Sequence, residues 1–246
     1  MFLMPLILTS FVAWFISTLA GGGSPIVLIP LVNFMLGPLA VAPVITTGML
    51  VGNSQRIGLF WGDINWTVNR WYFPGAIAGA VLGAYTFTHL DLEWLQLLIG
   101  VFLVISIVGF WLKKKESALQ VRDWHFLPGG FFYAFISGAI GSSGPLLNPL
   151  YLKYGLVKEE MIATKASHVV VIHVAKMLTY FAFGALTPQY LLYGLAIGLA
   201  ALPANLLGRY ILRKMNENTF RQIVFASMAI AGVLMVWEQR SLIGWQ

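Results

Sequence analysis

The sequence has no cysteine and few charged residues. Of its 246 residues, 10% are charged and 59% are hydrophobic, and the mean hydropathy is +0.80. The absence of cysteine excludes disulfides, thiolate metal sites and cysteine nucleophiles. A soluble domain is typically about 25% charged, so this chain has too few charges to cover a surface that faces water. Because lipid offers no partner for unpaired backbone groups, the long apolar runs predict an all-α polytopic membrane protein.

Basic residues exceed acidic ones, 15 against 9, and they cluster in the short connections between apolar segments. The clusters lie at 113–122, 153–165 and 209–221, and the positive-inside rule places all three in the cytoplasm. Membrane topology therefore explains the excess of basic residues, and we do not expect a nucleic-acid partner. The predicted location is the cell inner membrane, crossed several times, with the lipid bilayer as the main partner. The sequence leaves homo-oligomer formation open.

Two tracts of small residues interrupt the apolar segments: "GGGSP" at 21–25 and "GSSGP" at 141–145. Each is followed by an apolar segment too short to cross a bilayer, 25–36 and 145–152. Interior Gly and Pro destabilise a helix by about 1 and about 3 kcal/mol, so a helix is expected to stop at both tracts. In both halves of the chain, a small-residue break, a proline, a cation and a tryptophan follow one another in the same order. This agreement indicates an internal repeat.

This repeat predicts a first membrane repeat at 1–112, a cytoplasmic linker at 113–124 and a second membrane repeat at 125–246. If all three basic clusters are cytoplasmic, the segment with "GSSGP" must enter and leave the membrane on one side. Each half is then a broken, re-entrant helical hairpin followed by three transmembrane helices. Because that number of crossings is odd, the two halves have inverted topology. Inverted repeats with broken helices are a common plan of secondary transporters.

The two breaks predict a binding site for a small anion. Backbone N–H groups at a helix N-terminus attract anions, glycine allows close approach of a ligand, and serine adds a hydroxyl donor. The alternative is that these small residues serve close helix packing. The residues predicted to bind the substrate at the breaks are Gly21, Gly22, Gly23, Ser24, Gly141, Ser142, Ser143 and Gly144.

Four ionisable residues are predicted within the spans: Arg56, His168, His173 and Lys176. Arg56 and Lys176 occupy matching positions of the repeat, and Asn53 and His173 precede them by one helical turn. With no acidic residue predicted inside the spans, these two pairs are predicted to bind the anion. The alternative is that both cations extend to the lipid headgroups.

His168 and His173 titrate near neutral pH and are candidates for a proton relay, with a hydrogen-bonding role as the alternative. No cofactor and no metal site is predicted. Other polar residues either complete the lining of the site or join neighbouring helices: Asn33, Thr46, Thr47, Asn148, Ser167 and Asn205.

The tract "GGGSPIVLIPLV" resembles the signature of the TauE/SafE family of sulfite exporters and related carriers. The tract "GSSGPLLNPLYLKYGL", before "ATKAS", resembles its internal duplicate, and the resemblance covers nearly the whole chain. It implies a carrier of small sulfur-containing anions such as sulfite, sulfonates and sulfoacetate. Ser142 and Ser143 stand where the first half has Gly22 and Gly23, which changes the number of donors and the size of the cavity.

Other functional classes compete with this prediction. "GSSG" at 141–144 fits the G-x-S-G setting of an intramembrane serine protease, with Ser143 as nucleophile and His168 as base. However, a protease needs neither a duplicated scaffold nor paired cations. An anion channel and a membrane scaffold are the remaining alternatives. We therefore predict a protein that is not an enzyme but a secondary transporter of small anions. Sulfite, related sulfur oxyanions or organosulfonates are the expected substrates, moved by alternating access.

Overall fold

The computed structural model describes residues 3–86, 99, 101–103, 105, 121–140, 145–182, 184 and 186–238, and these residues form helices and no strand. Residues 99, 101–103 and 105 are helical, and 3₁₀ helices lie at Trp61–Asp63 and Asp123–His125. The other described helices are α1 (Leu3–Leu19), α2 (Ser24–Leu36), α3 (Pro38–Leu59), α4 (Trp66–Thr86), α5 (Phe126–Ile140), α6 (Asn148–Tyr154), α7 (Lys158–Ala182), α8 (Pro188–Lys214) and α9 (Glu217–Glu238).

Three of the described helices, α7, α8 and α9, are long and apolar enough to cross a bilayer. Large apolar side chains also cover the outside, and Phe34 and Leu39 are 89% and 85% exposed. Such exposure suits lipid rather than water. The helical membrane protein predicted from composition is therefore confirmed. The repeat boundaries and the linker at 113–124 stay predictions, and residues 113–120 lie outside the described part of the chain.

The first break follows the prediction. After α1, the residues Gly21–Gly23 have φ values of +69°, +123° and +110°, in the left-handed region that glycine adopts without a side-chain clash. The N–H of Gly22 donates to the carbonyl oxygen of Ser17 at 2.8 Å, which closes the last turn of α1. Pro25 then occupies the first turn of α2, where a missing N–H costs nothing.

The second break leads into the short helix α6. Its residues Gly141–Gly144 lie outside the described part of the chain, whereas 145–147 form a turn before α6. At the other end of α6, the hydroxyl of Tyr154 donates to the Asp123 carboxylate at 2.6 Å. Burial, this hydrogen bond and the charges of Asp123 and Glu160 raise the pKa of Tyr154 to about 12. The hydroxyl therefore stays a donor at neutral pH and anchors α6 to the 3₁₀ helix before α5.

Glycines bring helices of the two predicted halves into backbone contact. A Cβ atom on a glycine of α4 would overlap a carbonyl oxygen of α5 at three successive turns, and a Cβ atom on the glycines of α3 and α8 would overlap a side chain of the other helix. Such small-residue contacts allow close helix approach in membranes. The glycines are Gly75, Gly79 and Gly83 of α4, Gly48 of α3, and Gly194 and Gly198 of α8.

Candidate functional site

A cavity, called the break cavity below, lies at the first break between α1, α3, α5 and α7. The centre of a water molecule can occupy about 30 Å³ of it, whereas one water needs about 10–15 Å³ of such space. It therefore has room for a few waters or a small anion. Its lining consists of Ser17, Gly21, Gly22, Gly23 and Pro25, of Met49, Asn53 and Arg56 of α3, of Tyr133 and Ser137 of α5, and of Ile162, Lys165, Ala166, Val169, Ile172 and His173 of α7.

Of the described residues that line the break cavity, two have cationic side chains and none has a carboxylate. Arg56 is 4% exposed and Lys165 is 7% exposed, so both cationic residues are buried. A buried cation is costly unless it is paired or solvated by oxygen ligands. The lining therefore favours a ligand of negative charge.

Arg56 is fixed by contacts with α1 and α8. Its Nε donates to the side-chain oxygen of Asn205 at 2.9 Å. Its Nη2 donates to the hydroxyls of Thr18 at 2.8 Å and Ser17 at 3.2 Å and to the carbonyl oxygen of Trp14 at 3.2 Å. The guanidinium carbon also lies 4.7 Å from the centre of the Trp14 ring, a cation–π contact. Among the described residues Nη1 has no hydrogen-bond partner, so one side of a rigid guanidinium remains available to a ligand.

Lys165 connects the first break to the start of α6. Its Nζ donates to the carbonyl oxygen of Gly21 and to the side-chain oxygen of Asn148, each at 2.7 Å. Gly21 belongs to the first break, and Asn148 begins α6, directly after the second. A Cβ on Gly22 would lie 2.7 Å from Nζ. The lysine head can therefore reach the first break because glycine occupies that position.

A family model now identifies the chain. The model described as Sulfite exporter TauE/SafE matches residues 6–235. The chain belongs to the TauE/SafE family. Comparison with curated proteins and with solved structures gives no match. The resemblance inferred from the two break tracts is thereby confirmed over nearly the whole chain.

TauE/SafE proteins are membrane transporters and not enzymes, which decides against the protease alternative. The environment of His168 agrees with this conclusion. Its side chain is fully buried, and its Nδ1 shares a hydrogen bond of 2.6 Å with the hydroxyl of Tyr151. The proposed nucleophile Ser143 lies outside the described residues.

In this TauE/SafE protein the structure brings six of the predicted site residues to the break cavity: Gly21, Gly22, Gly23, Asn53, Arg56 and His173. Ser24 is buried next to them, and its hydroxyl lies 3.5 Å from the sulfur of Met49. Asn53 donates to the carbonyl oxygen of Met49 at 2.8 Å, which holds its side chain in the cavity lining. Gly141, Ser142, Ser143 and Gly144 lie outside the described residues.

Two other predicted residues do not line the cavity. Lys176 is 6% exposed and lies one helical turn beyond His173 on α7, and His168 faces aromatic residues of α4 and α6. Arg56 and Lys176 are both buried, which favours an interior position over the alternative in which both cations extend to headgroups.

Lys165 is the site residue that the sequence analysis missed. Its proximity to Lys153 and Lys158 placed it in a cytoplasmic cluster, but α7 runs without interruption from Lys158 and carries Lys165 into the interior. The spacing along the helix indicates Lys165 as a site residue, because it precedes His173 by about two turns on one face of a helix. The statement that only Arg56, Lys176 and the two histidines ionise within the spans is corrected accordingly.

Proposed function

We propose that this TauE/SafE transporter carries small sulfur oxyanions, such as sulfite, or organosulfonates across the cell inner membrane by alternating access. The observation that supports this most is the break cavity, a small space whose described lining includes Arg56 and Lys165 and no carboxylate. A tetrahedral or pyramidal oxyanion offers several acceptor oxygens to such donors. A cation would meet two like charges there.

The two cations have different parts in binding. The guanidinium of Arg56 is held by Asn205, Thr18 and Trp14, so it offers Nη1 without losing much side-chain entropy. A planar guanidinium suits two oxygens of one oxyanion. Lys165 is a compact charge that can exchange a carbonyl oxygen for a substrate oxygen.

The first break completes the site with backbone groups. Gly21, Gly22 and Gly23 line the cavity without side chains, so a substrate oxygen can come close to the main chain. The N–H groups of the first turn of α2 add a partial positive charge. Asn53 and His173 supply polar atoms from two further helices. His173 Nδ1 is buried and has no hydrogen-bond partner among the described residues, so a bound anion could use it.

The inverted repeat is the part of the proposal that explains movement. Its alignment relates α3 to α7 and α4 to α8. In agreement with an approximate two-fold axis, α3 packs on α8 and α4 packs on α7. Rocking of the halves 1–112 and 125–246 about the break cavity would expose it to each side in turn.

Counterflow in proteoliposomes tests this proposal. Vesicles with purified protein are loaded with unlabelled sulfite, thiosulfate, methanesulfonate, sulfate or acetate, and uptake of labelled sulfite and thiosulfate is measured at two pH values. Saturable counterflow by the sulfur anions and none by acetate is expected. Counterflow requires a carrier, so flux that does not saturate and shows no exchange would indicate a channel.

The site itself is tested with Arg56→Gln. Loss of a charged hydrogen bond is worth about 1.5–3 kcal/mol, so the half-saturating anion concentration is expected to rise about 10- to 100-fold. Arg209→Gln is the matched control, because Arg209 stacks on Phe60 and does not line the cavity. Equal effects of the two variants would contradict the assigned site.

A further inference from the structure

Helices α6 and α7 are joined by two parallel side-chain contacts, one helical turn apart. Lys165 of α7 donates to Asn148 of α6 at 2.7 Å. Three residues further along each helix, Nδ1 of His168 and the hydroxyl of Tyr151 share a hydrogen bond of 2.6 Å. The first contact borders the break cavity, and the second lies behind it. A titratable pair is thus placed one turn away from a cation of the anion site.

The surroundings of His168 contain few other charges. Tyr72 of α4 stacks on its ring with 3.5 Å between ring centres, and Phe126 of α5 packs at 6.5 Å. Among the described residues, the titratable or charged groups around it are Tyr72 of α4, Tyr151 of α6, Tyr133 of α5, which lies near both of these tyrosines, and, one turn earlier on α7, Lys165. None of these carries a negative charge at neutral pH. A proton bound to His168 would therefore be repelled by Lys165 unless an anion compensates that charge.

Several buried polar atoms on this side of α7 have no hydrogen-bond partner among the described residues. They are Nε2 of His168, the hydroxyl of Tyr72 and Nδ2 of Asn69, and the three side chains are at most 1% exposed. Asn69 lies one turn before Tyr72 on α4, and its oxygen accepts from Ser167, the neighbour of His168, at 3.1 Å. Unused buried hydrogen-bonding capacity is rare in proteins and calls for a functional explanation.

We propose that His168 is the binding site of a coupling proton, and that the transporter moves its anion together with that proton. This inference rests on the proposed function. Nε2 of neutral His168 takes up one proton from water on one side of the membrane. Nδ1–H donates to the oxygen of Tyr151 before and after this uptake, and Nε2 returns the same proton to water on the other side.

The position of Lys165 explains why the two ligands bind together. Without an anion, the charges of Lys165 and protonated His168 would lie one helical turn apart in a medium of low dielectric constant. An anion at Lys165 removes this repulsion and attracts the proton. By thermodynamic linkage, the proton in turn strengthens binding of the anion. His173, in contrast, lines the break cavity itself and is assigned to anion binding.

The test measures proton and anion movement in the same proteoliposomes. Vesicles contain a pH-sensitive dye and receive an inward gradient of thiosulfate or methanesulfonate, anions that stay fully ionised around neutral pH and carry no proton of their own. Wild-type protein is expected to acidify the vesicle interior as the anion enters. Anion entry without a pH change would overturn the proposal while leaving the proposed function intact. Failure of the wild type to exchange either anion would contradict the proposed function, and this inference with it.

The deciding variant is His168→Asn, whose side-chain amide can still donate to the oxygen of Tyr151 but which cannot take up a proton. Anion exchange without a gradient is expected to persist, whereas the acidification for each anion transported is expected to fall at least about tenfold. His173→Asn is the matched control, expected to weaken anion exchange while leaving the number of protons for each anion unchanged. Unchanged acidification by His168→Asn would overturn the proposal.

If His168→Asn does not fold, Tyr151→Phe carries the test, because it removes a single hydroxyl. The imidazolium of His168 then loses the acceptor of its Nδ1–H. The midpoint of the pH dependence of proton-driven uptake is expected to move down by about one pH unit. An unchanged midpoint would show that the hydrogen bond to Tyr151 only holds α6 and α7 together.

Discussion

Lys165 donates a hydrogen bond of 2.7 Å to the carbonyl oxygen of Gly21, a residue 144 positions earlier in the chain. The same nitrogen binds Asn148 after the second break. A single cation thus joins the first break to the start of α6 and borders the break cavity. A substrate oxygen at this nitrogen would compete with the protein oxygens. Substrate binding would therefore act on the contact between the first break and α6.

Lys165→Met is expected to abolish saturable sulfite counterflow, because it removes a charge from the break cavity. It also leaves the buried oxygens of Gly21 and Asn148 without this donor, at a cost of about 1–3 kcal/mol for each oxygen. Thermal unfolding of the purified protein in detergent measures that cost. Lys165→Arg keeps the charge and is expected to retain part of the counterflow.

Lys176→Met is the comparison, since Lys176 lies on the same helix and is buried to a similar degree, 6% exposed against 7% for Lys165. The repeat alignment pairs Lys176 with Arg56 and predicts a strong loss of anion affinity. The cavity lining instead predicts a larger loss for Lys165→Met. The saturable sulfite counterflow that each variant retains, relative to wild type, decides between these predictions.

Gly22→Ala is expected to lower both stability and anion affinity. A φ of +123° is unfavourable for alanine, at a cost of about 1–2 kcal/mol, and its Cβ would lie 2.7 Å from Nζ of Lys165. Gly155→Ala has a similar φ of +103° but no atom within 4 Å of the added Cβ. The control should therefore lose stability and keep its affinity. A fall in affinity for both variants would show that backbone strain alone impairs the site.

Asn148→Asp is expected to prevent anion binding with little change in shape. The new carboxylate would lie at the position of an oxygen 2.7 Å from Lys165, so it would neutralise the lysine charge and repel the substrate. Asn216→Asp adds the same charge at an exposed position, where the side-chain oxygen of Asn216 accepts from the N–H of Thr219. Equilibrium binding of thiosulfate should be lost only in Asn148→Asp. Retained binding would place the anion away from Lys165.

Gly79→Ala is expected to destabilise the contact of α4 with α5 by about 1–3 kcal/mol, the usual range for overpacking. Its Cβ would overlap the carbonyl oxygen of Phe131, and a backbone atom cannot move aside as a flexible side chain can. Gly58→Ala, on α3, has no atom within 4 Å of its Cβ and should stabilise the protein by up to about 1 kcal/mol. The melting temperatures of the two variants in detergent are expected to change in opposite directions.

Much of the fold follows from local properties of the sequence. The scarcity of charge predicts a membrane protein, and three consecutive glycines before a proline predict the end of α1 and the start of α2. The structure agrees in both respects. Part of the candidate site is local too. Asn53 and Arg56 share a helix face because they are three residues apart, and both line the break cavity.

The sequence by itself therefore determined the membrane setting, the first break and the Asn53–Arg56 face, since each depends on composition or on backbone geometry within a few residues. Only the tertiary structure decided that Lys165 borders the cavity while Lys176 and His168 do not. All three lie on α7, and which of its faces meets the cavity depends on how α7 packs against α3, α4 and α6. That packing is fixed by contacts between residues distant in sequence, as between Lys165 and Gly21, and no local pattern contains them.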